Sequence, residues 1–161
     1  MSNLILGIGD LGASNTPGTV IKTFALGSCV AVVLLDPRTR TIGMAHVALP
    51  DSKVNPTRAQ ERPGYFADSA IPNLLREMGR LGATNPQGLY AKLAGGASIM
   101  DQNATFNIGR RNLEAVRSLL ARLGIRTVGE DVGGTISRTV SLSVNTGKLT
   151  LASPGRPDWE I

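Results

Sequence analysis

Short apolar runs, separated by glycine, proline and polar turn residues, recur along almost the whole sequence. In the first third they cover residues 4–8, 20–26, 29–35 and 41–49, and later they cover 89–94, 125–128, 138–144 and 148–152. Runs of this length between turn signals are typical of β-strands. The chain is therefore restricted to a fold in which β-sheet predominates.

Two longer segments have the spacing of amphipathic helices instead. Residues 67–81 and 108–123 each carry an apolar stripe, and each is followed by glycine, Gly82 or Gly124, which suits a left-handed helix C-cap. With 161 residues, the chain has the length of one domain. These patterns predict a single α/β domain of the α+β type over residues 1–161, whose helices cover a sheet or a pair of sheets.

Residues 51–63 interrupt these patterns. Pro50, Pro56, Pro63 and Gly64 divide a polar stretch that has no helical or strand period. Proline and glycine at this density favour irregular backbone at the surface. We expect a flexible surface loop over 51–63.

Composition excludes several classes of function. Seventeen Lys and Arg against twelve Asp and Glu give a net charge of +5, but the basic residues are scattered, so no nucleic-acid partner is expected. No apolar stretch approaches the roughly 20 residues that span a bilayer, and no secretory signal is evident. We expect a cytoplasmic protein without membrane insertion. One cysteine and one histidine are too few for an ordinary zinc site, so neither a metal nor a cofactor is expected.

Two glycine motifs resemble functional sites but lack the necessary context. Gly7, Gly9 and Gly12 match the dinucleotide fingerprint, yet turn residues follow where a helix must begin. Gly95-Gly96-Ala97-Ser98 lacks the second glycine of a nucleophile elbow, and the histidine lies far upstream. We interpret both as structural loops.

The sole cysteine, Cys29, and the sole histidine, His46, are the strongest candidates for chemistry. Each has a structural alternative, since a free cysteine is usually a small buried hydrophobe. The runs that carry them flank a turn-rich segment, residues 36–40, which predicts an antiparallel hairpin. Positions 29 and 46 have their midpoint at 37.5, inside that turn. A hairpin symmetric about this point places the two side chains opposite each other on one face.

The residues around Cys29 suit a nucleophile. Gly27 and Ser28 allow close approach of a carbonyl group and leave backbone N–H groups available as an oxyanion hole. A histidine base also needs a third group to orient it. Thr23 is a hydroxyl candidate, although strands are rich in threonine for other reasons.

These segments closely resemble the family of chemoreceptor glutamine deamidases called CheD. The resemblance is carried by Leu-Gly-Ser-Cys at 26–29 and Ala-His-Val at 45–47, and it extends through Lys-Leu-Ala-Gly-Gly-Ala at 92–97 and Asn-Ile-Gly-Arg-Arg-Asn at 107–112. It covers residues 4–151, so that 153–161 is expected to be a variable tail. The resemblance implies a β-sandwich-like core with the two main helices packed outside, as in glutamine-deamidating toxins.

The resemblance also implies a function. It assigns a Cys–His–Thr triad to Cys29, His46 and Thr23, and a reaction that converts specific glutamines of methyl-accepting chemotaxis receptors to glutamate through a cysteine thioester. Cleavage of receptor methyl esters and docking of the CheY phosphatase CheC belong to the same expectation. Two alternatives stay open: a non-catalytic or dual-role binding adaptor for CheC, and an unrelated cysteine hydrolase that acts on a small amide.

Overall fold

The computed structural model describes residues 2–98 and 107–161, which form ten strands, three α-helices and three short 3-10 helices. The strands are β1 (Ser2–Leu6), β2 (Leu11–Ser14), β3 (Thr19–Leu26), β4 (Val30–Asp36), β5 (Thr41–Val47), β6 (Tyr90–Gly95), β7 (Arg126–Val132), β8 (Arg138–Ser143), β9 (Leu149–Ser153) and β10 (Arg156–Glu160). The α-helices are α1 (Pro56–Glu61), α2 (Ala67–Arg80) and α3 (Ile108–Arg122). The 3-10 helices are Ser52–Val54, Pro63–Tyr65 and Pro86–Gly88.

The strands form two five-stranded sheets that pack face to face. Sheet A has the order β1-β3-β8-β9-β10, and sheet B has the order β2-β5-β4-β6-β7. Most neighbours are antiparallel, whereas β1 with β3 and β6 with β7 are parallel. The predicted α/β domain with sandwiched sheets is confirmed.

Strand β4 is buried on both of its faces. Val30, Val32 and Leu34 pack with the long helices, while Ala31 and Val33 pack in the layer between the sheets. A strand covered on both faces has no polar alternation, which explains its continuous apolar sequence.

Both main helices lie on the outer face of sheet B. They contribute Ile71, Leu74, Met78, Val116 and Leu120 to one apolar cluster with that sheet. Their ends agree with the predicted glycine caps, because Gly82 and Gly124 have φ angles of +100° and +74°. The position of the two helices is confirmed.

The secondary structure differs from the prediction in residues 51–63, and it adds a strand in the tail, for which no secondary structure was predicted. Residues 51–63 are largely exposed, as expected, but they form a 3-10 helix and α1 rather than an irregular loop. The side chains of Asp51 and Asn55 cap these elements, and Pro56 occupies the first turn of α1, where proline is favoured. In the predicted tail, residues 156–160 form β10, which pairs with β9.

The register of the β4–β5 hairpin also differs from the prediction. Asp36 pairs with Thr41, so residues 37–40 form the connection, and Ala31 rather than Cys29 lies opposite His46. The expected direct pair is therefore wrong by two positions along β4. The face is nevertheless retained, because Cys29 and Ala31 both pack in the layer between the sheets.

In the described parts of the chain, no helix has the length and apolarity needed to cross a membrane.

Candidate active site

Two strands and the residue before a third carry the predicted triad residues. Thr23 belongs to β3 of sheet A, His46 to β5 of sheet B, and Cys29 directly precedes β4. Thr23 is 0% exposed and His46 is 2% exposed. Cys29 is half-buried, so its thiol lies between the core and the surface.

A hydrogen bond between the sheets orients the His46 imidazole. Thr23 Oγ1 lies 2.6 Å from His46 Nδ1 and donates its own proton to the Leu6 carbonyl at 2.8 Å. A threonine hydroxyl has only one proton, so Thr23 Oγ1 must accept from Nδ1–H. The contact therefore selects the tautomer in which Nε2 carries a free lone pair.

The remaining ring nitrogen has no partner. Nε2 of His46 is buried and makes no hydrogen bond with any described residue, including Cys29. Burial lowers the pKa of His46 to about 4, although the negative charge of Asp10 partly opposes this shift. Burial raises the pKa of the Cys29 thiol above its usual value. At neutral pH the site therefore holds a neutral thiol and a neutral imidazole.

The glycine motif near the N-terminus is a structural turn that supports His46. Gly9 N–H donates to the His46 carbonyl at 2.9 Å, and His46 N–H donates to the Asp10 carbonyl at 3.0 Å. Asp10 accepts from the Gly7 amide and pairs with Arg62 at 2.7 Å. The chain then enters β2 rather than a helix, which agrees with rejecting the dinucleotide motif.

The segment before Cys29 leaves regular strand geometry. The pairing of β3 with β8 is irregular between Thr23 and Leu26, and Ala25 has a φ of +53°. Ala97 N–H binds the Gly27 carbonyl and Gly96 N–H binds the Cys29 carbonyl, each at 2.9 Å. The second glycine-rich motif therefore holds the backbone around Cys29.

Close packing makes glycine necessary beside the thiol. A Cβ at Gly95 would lie 2.2 Å from the Cys29 carbonyl oxygen, and Gly95 has a φ of +104°. The amide N–H groups of Gly27, Ser28 and Cys29 donate to no acceptor in the described part of the chain. Free, adjacent amides beside a thiol are the donors that an oxyanion requires.

One buried polar residue at the site was not predicted. The Asn112 side chain in α3 is fully buried and donates to the carbonyls of Ser28 and Ala48, each at 3.0 Å. Its signal was present in the sequence, because Asn112 precedes Val116 and Leu120 by four and eight residues and so shares their apolar stripe. A polar residue on such a stripe indicates a specific buried partner.

A groove of about 440 Å³ lies at the opposite end of the β4–β5 hairpin, lined by Pro37, Arg40, Lys92 and Gly147 among others, and contains none of the triad residues. Within residues 2–98 and 107–161, no group of three or more His, Cys, Asp or Glu is placed to hold a metal ion.

Known proteins resemble this chain along its full length. The sequence model of a family described as CheD chemotactic sensory transduction matches residues 48–153, a range that begins after Thr23, Cys29 and His46. A protein of Syntrophotalea carbinolica named probable chemoreceptor glutamine deamidase CheD is 53% identical over 100% of both chains. The chemoreceptor glutamine deamidase CheD of Thermotoga maritima is 42% identical over 94% of this chain and 92% of its own.

Similarity to solved structures is weaker. A crystal structure of the Bacillus licheniformis hypothetical protein YfiH covers 78% of this chain and 50% of its own, with a TM-score of 0.45 and 14% identity. The family assignment rests on sequence instead, through a match over more than half of the chain and two relatives above 40% identity. The chain belongs to the CheD family.

Proposed function

We propose that this protein deamidates glutamine side chains of chemoreceptors, with Cys29 as the nucleophile. The names of the relatives support the substrate and the reaction. The observation that carries the proposal is the imidazole of His46, buried, with Nδ1 bound to Thr23 and Nε2 without a partner. In the β4–β5 hairpin, His46 lies opposite Ala31, which follows Cys29, the only cysteine, by two residues.

The first half of the reaction forms a thioester. As Cys29 Sγ attacks the carboxamide carbon, His46 Nε2 takes the thiol proton, because neither group is charged beforehand. This step requires Sγ to come within hydrogen-bond distance of Nε2 once substrate is bound. Catalytic hydrogen bonds often shorten in this way when the substrate complex forms. Amides of Ser28 and Cys29 stabilise the oxyanion, and the imidazolium protonates the departing ammonia.

The second half of the reaction releases glutamate. His46 Nε2, neutral again, takes a proton from water as the water oxygen attacks the thioester carbon. Collapse of the intermediate breaks the carbon–sulfur bond, and the imidazolium returns its proton to the sulfur. Thr23 holds Nδ1 throughout and so keeps Nε2 as the reactive nitrogen.

Mass spectrometry of a purified receptor cytoplasmic fragment tests the proposal. Each deamidated glutamine gains about one mass unit, since NH₂ is replaced by OH. We expect the wild-type protein and Ser118→Ala, a change on the exposed face of α3, to modify the fragment equally. Cys29→Ala should not modify it. Equal modification by Cys29→Ala would contradict the assignment of the nucleophile.

Methyl ester hydrolysis and docking of CheC stay predictions of the family resemblance.

A further inference from the structure

The side chain of Asn112 joins the two segments that carry the proposed nucleophile and base. Its Nδ2 donates to the carbonyl of Ser28, the residue before Cys29, and to the carbonyl of Ala48, two residues after His46. These partners lie 84 and 64 positions away in the sequence. A single buried amide therefore fixes one backbone segment relative to the other.

Chemistry determines the orientation of this amide. Both partners are carbonyl oxygens, which only accept, so the nitrogen rather than the oxygen must face them. Two donated bonds use both protons of Nδ2. Oδ1 of Asn112 is buried and has no partner among the described residues. Both hydrogen bonds of the side chain are therefore directed at the site.

The contact with Ser28 also sets the direction of the next amide. In a trans peptide the carbonyl of one residue and the N–H of the next point to opposite sides. Asn112 holds the Ser28 carbonyl toward α3, so the Cys29 N–H points away from that helix. The Ala97 N–H binds the Gly27 carbonyl in the same manner. This bond sets the direction in which the Ser28 N–H points.

We propose that Asn112 is a positioning residue that orients the Ser28–Cys29 peptide, so that the Cys29 N–H faces the developing oxyanion. Its second bond, to Ala48, holds the end of β5 at a fixed distance from that peptide. This inference rests on the proposed deamidation, because an oxyanion forms only if a carboxamide is attacked.

The test compares Asn112→Leu with Val116→Ala, using deamidation of a receptor cytoplasmic fragment. Leucine has a similar size but no donor, so kcat should fall about 10²-fold, the typical effect of losing one oxyanion donor. KM should be unchanged, because the oxyanion exists only in the transition state. Val116 is also fully buried, one turn further along α3, and its truncation should lower stability with little change in kcat.

Alkylation of Cys29 by iodoacetamide separates positioning from general damage. Cys29 is the only cysteine, so the reaction reports on this site alone, and alkylation needs no oxyanion. Asn112→Leu should react at the wild-type rate. If it folds too poorly to assay, Asn112→Ala provides the same comparison at the same position.

Two results would overturn the inference. One is wild-type kcat in a folded Asn112 variant, and the other is a parallel loss of kcat and a change in alkylation rate, as expected of a deformed site. Failure of the proposed function has a different signature, because the wild-type protein itself would leave the fragment unmodified.

Discussion

At the scale of single residues, one hydroxyl proton decides which nitrogen of His46 can act as a base. Thr23→Val removes both the proton given to Leu6 and the oxygen that receives Nδ1–H. We expect kcat to fall roughly 10- to 100-fold, less than the about 10⁴-fold seen when the charged member of a Ser-His-Asp triad is replaced. Thr23→Ser keeps the hydroxyl and should retain most of the activity.

Nitrogen-15 NMR gives an independent measurement of the same prediction. His46 is the only histidine, so all histidine ring-nitrogen signals come from this residue, and their couplings to the ring protons distinguish Nδ1 from Nε2. At pH 7 the wild-type protein should show a protonated Nδ1 and an unprotonated Nε2, whereas Thr23→Val should show a mixture of tautomers. An unchanged spectrum in Thr23→Val would contradict the orienting role of the hydroxyl.

The buried imidazole also predicts how stability depends on pH. The pKa of His46 is lowered from 6.5 to about 4, so between these values the unfolded chain binds a proton that the folded chain does not. The free energy of unfolding should therefore decrease by about 3 kcal/mol from this group as pH falls from 7 to 4. Urea denaturation of wild type and His46→Gln at several pH values measures it. The His46→Gln protein should lack this decrease in the free energy of unfolding. An identical dependence on pH in the two proteins would refute the prediction.

Residue types in the sequence were sufficient to select the triad candidates but not their geometry. Cys29 and His46 stand out because each occurs once, whereas Thr23 was one hydroxyl candidate that the family resemblance assigned to the triad. The hairpin register depends on how many residues the turn uses, and a turn-rich segment does not determine that number. The partners of Asn112 could not be predicted, because they are backbone carbonyls, which carry no sequence signal.

At the scale of elements, a partly buried ion pair joins the two sheets. Asp131 of β7 accepts from Arg138 of β8 and from Trp159 of β10, each at 2.7 Å. Asp131→Asn leaves the Arg138 charge, only 5% exposed, without a counter-ion. We expect the free energy of unfolding to fall by about 3 kcal/mol, the lower end for a broken buried pair, because Asp131 is itself partly exposed.

An exposed ion pair provides the matched control. Arg110 and Glu114 are 73% and 62% exposed, so Glu114→Gln should change the free energy of unfolding by less than about 0.5 kcal/mol. Urea denaturation, monitored by circular dichroism, measures both variants. Similar losses in the two would mean that the ion pair between the sheets contributes no more than a surface contact.

Elements with a strong period were predictable, whereas the edge strands β2 and β10 were not. Helices α2 and α3 were placed within one residue at their ends, because apolar stripe and terminal glycine agree. Strand β2 contains glycine, alanine and serine, and β10 contains proline and three charged residues, so neither has strand propensity. Both lie at sheet edges, where pairing with one neighbour is enough to form them.

At the scale of the whole molecule, the candidate site depends on both sheets being in place. Thr23 comes from sheet A, whereas Cys29 and His46 belong to the β4–β5 hairpin of sheet B. We therefore expect the site to open only when the sandwich unfolds. The folded-state His46 Nδ1–H signal in nitrogen-15 NMR and the fluorescence of Trp159, the only tryptophan, should be lost at the same urea midpoint. Loss of the His46 signal at lower urea than the fluorescence change would show that the site opens locally.

The fold class could be predicted because it depends on the number and kind of segments, whereas the order of strands could not. Strands β3 and β8 are neighbours although more than 100 residues separate them, and no local pattern encodes that pairing. The parallel pairs β1–β3 and β6–β7 were likewise not expected from a sequence that favours antiparallel hairpins.

The acceptor of the Thr23 proton is the last residue of β1, a strand that contributes no side chain to the triad. Peeling this strand from β3 would free the hydroxyl to turn around and donate to the ring, which would move the imidazole proton to the opposite nitrogen. Catalysis would stop while the thiol, its neighbouring amides and the helices of sheet B stayed intact. A ligand or an antibody that captures β1 would thus be an inhibitor acting at a distance, without ever touching Cys29 or His46.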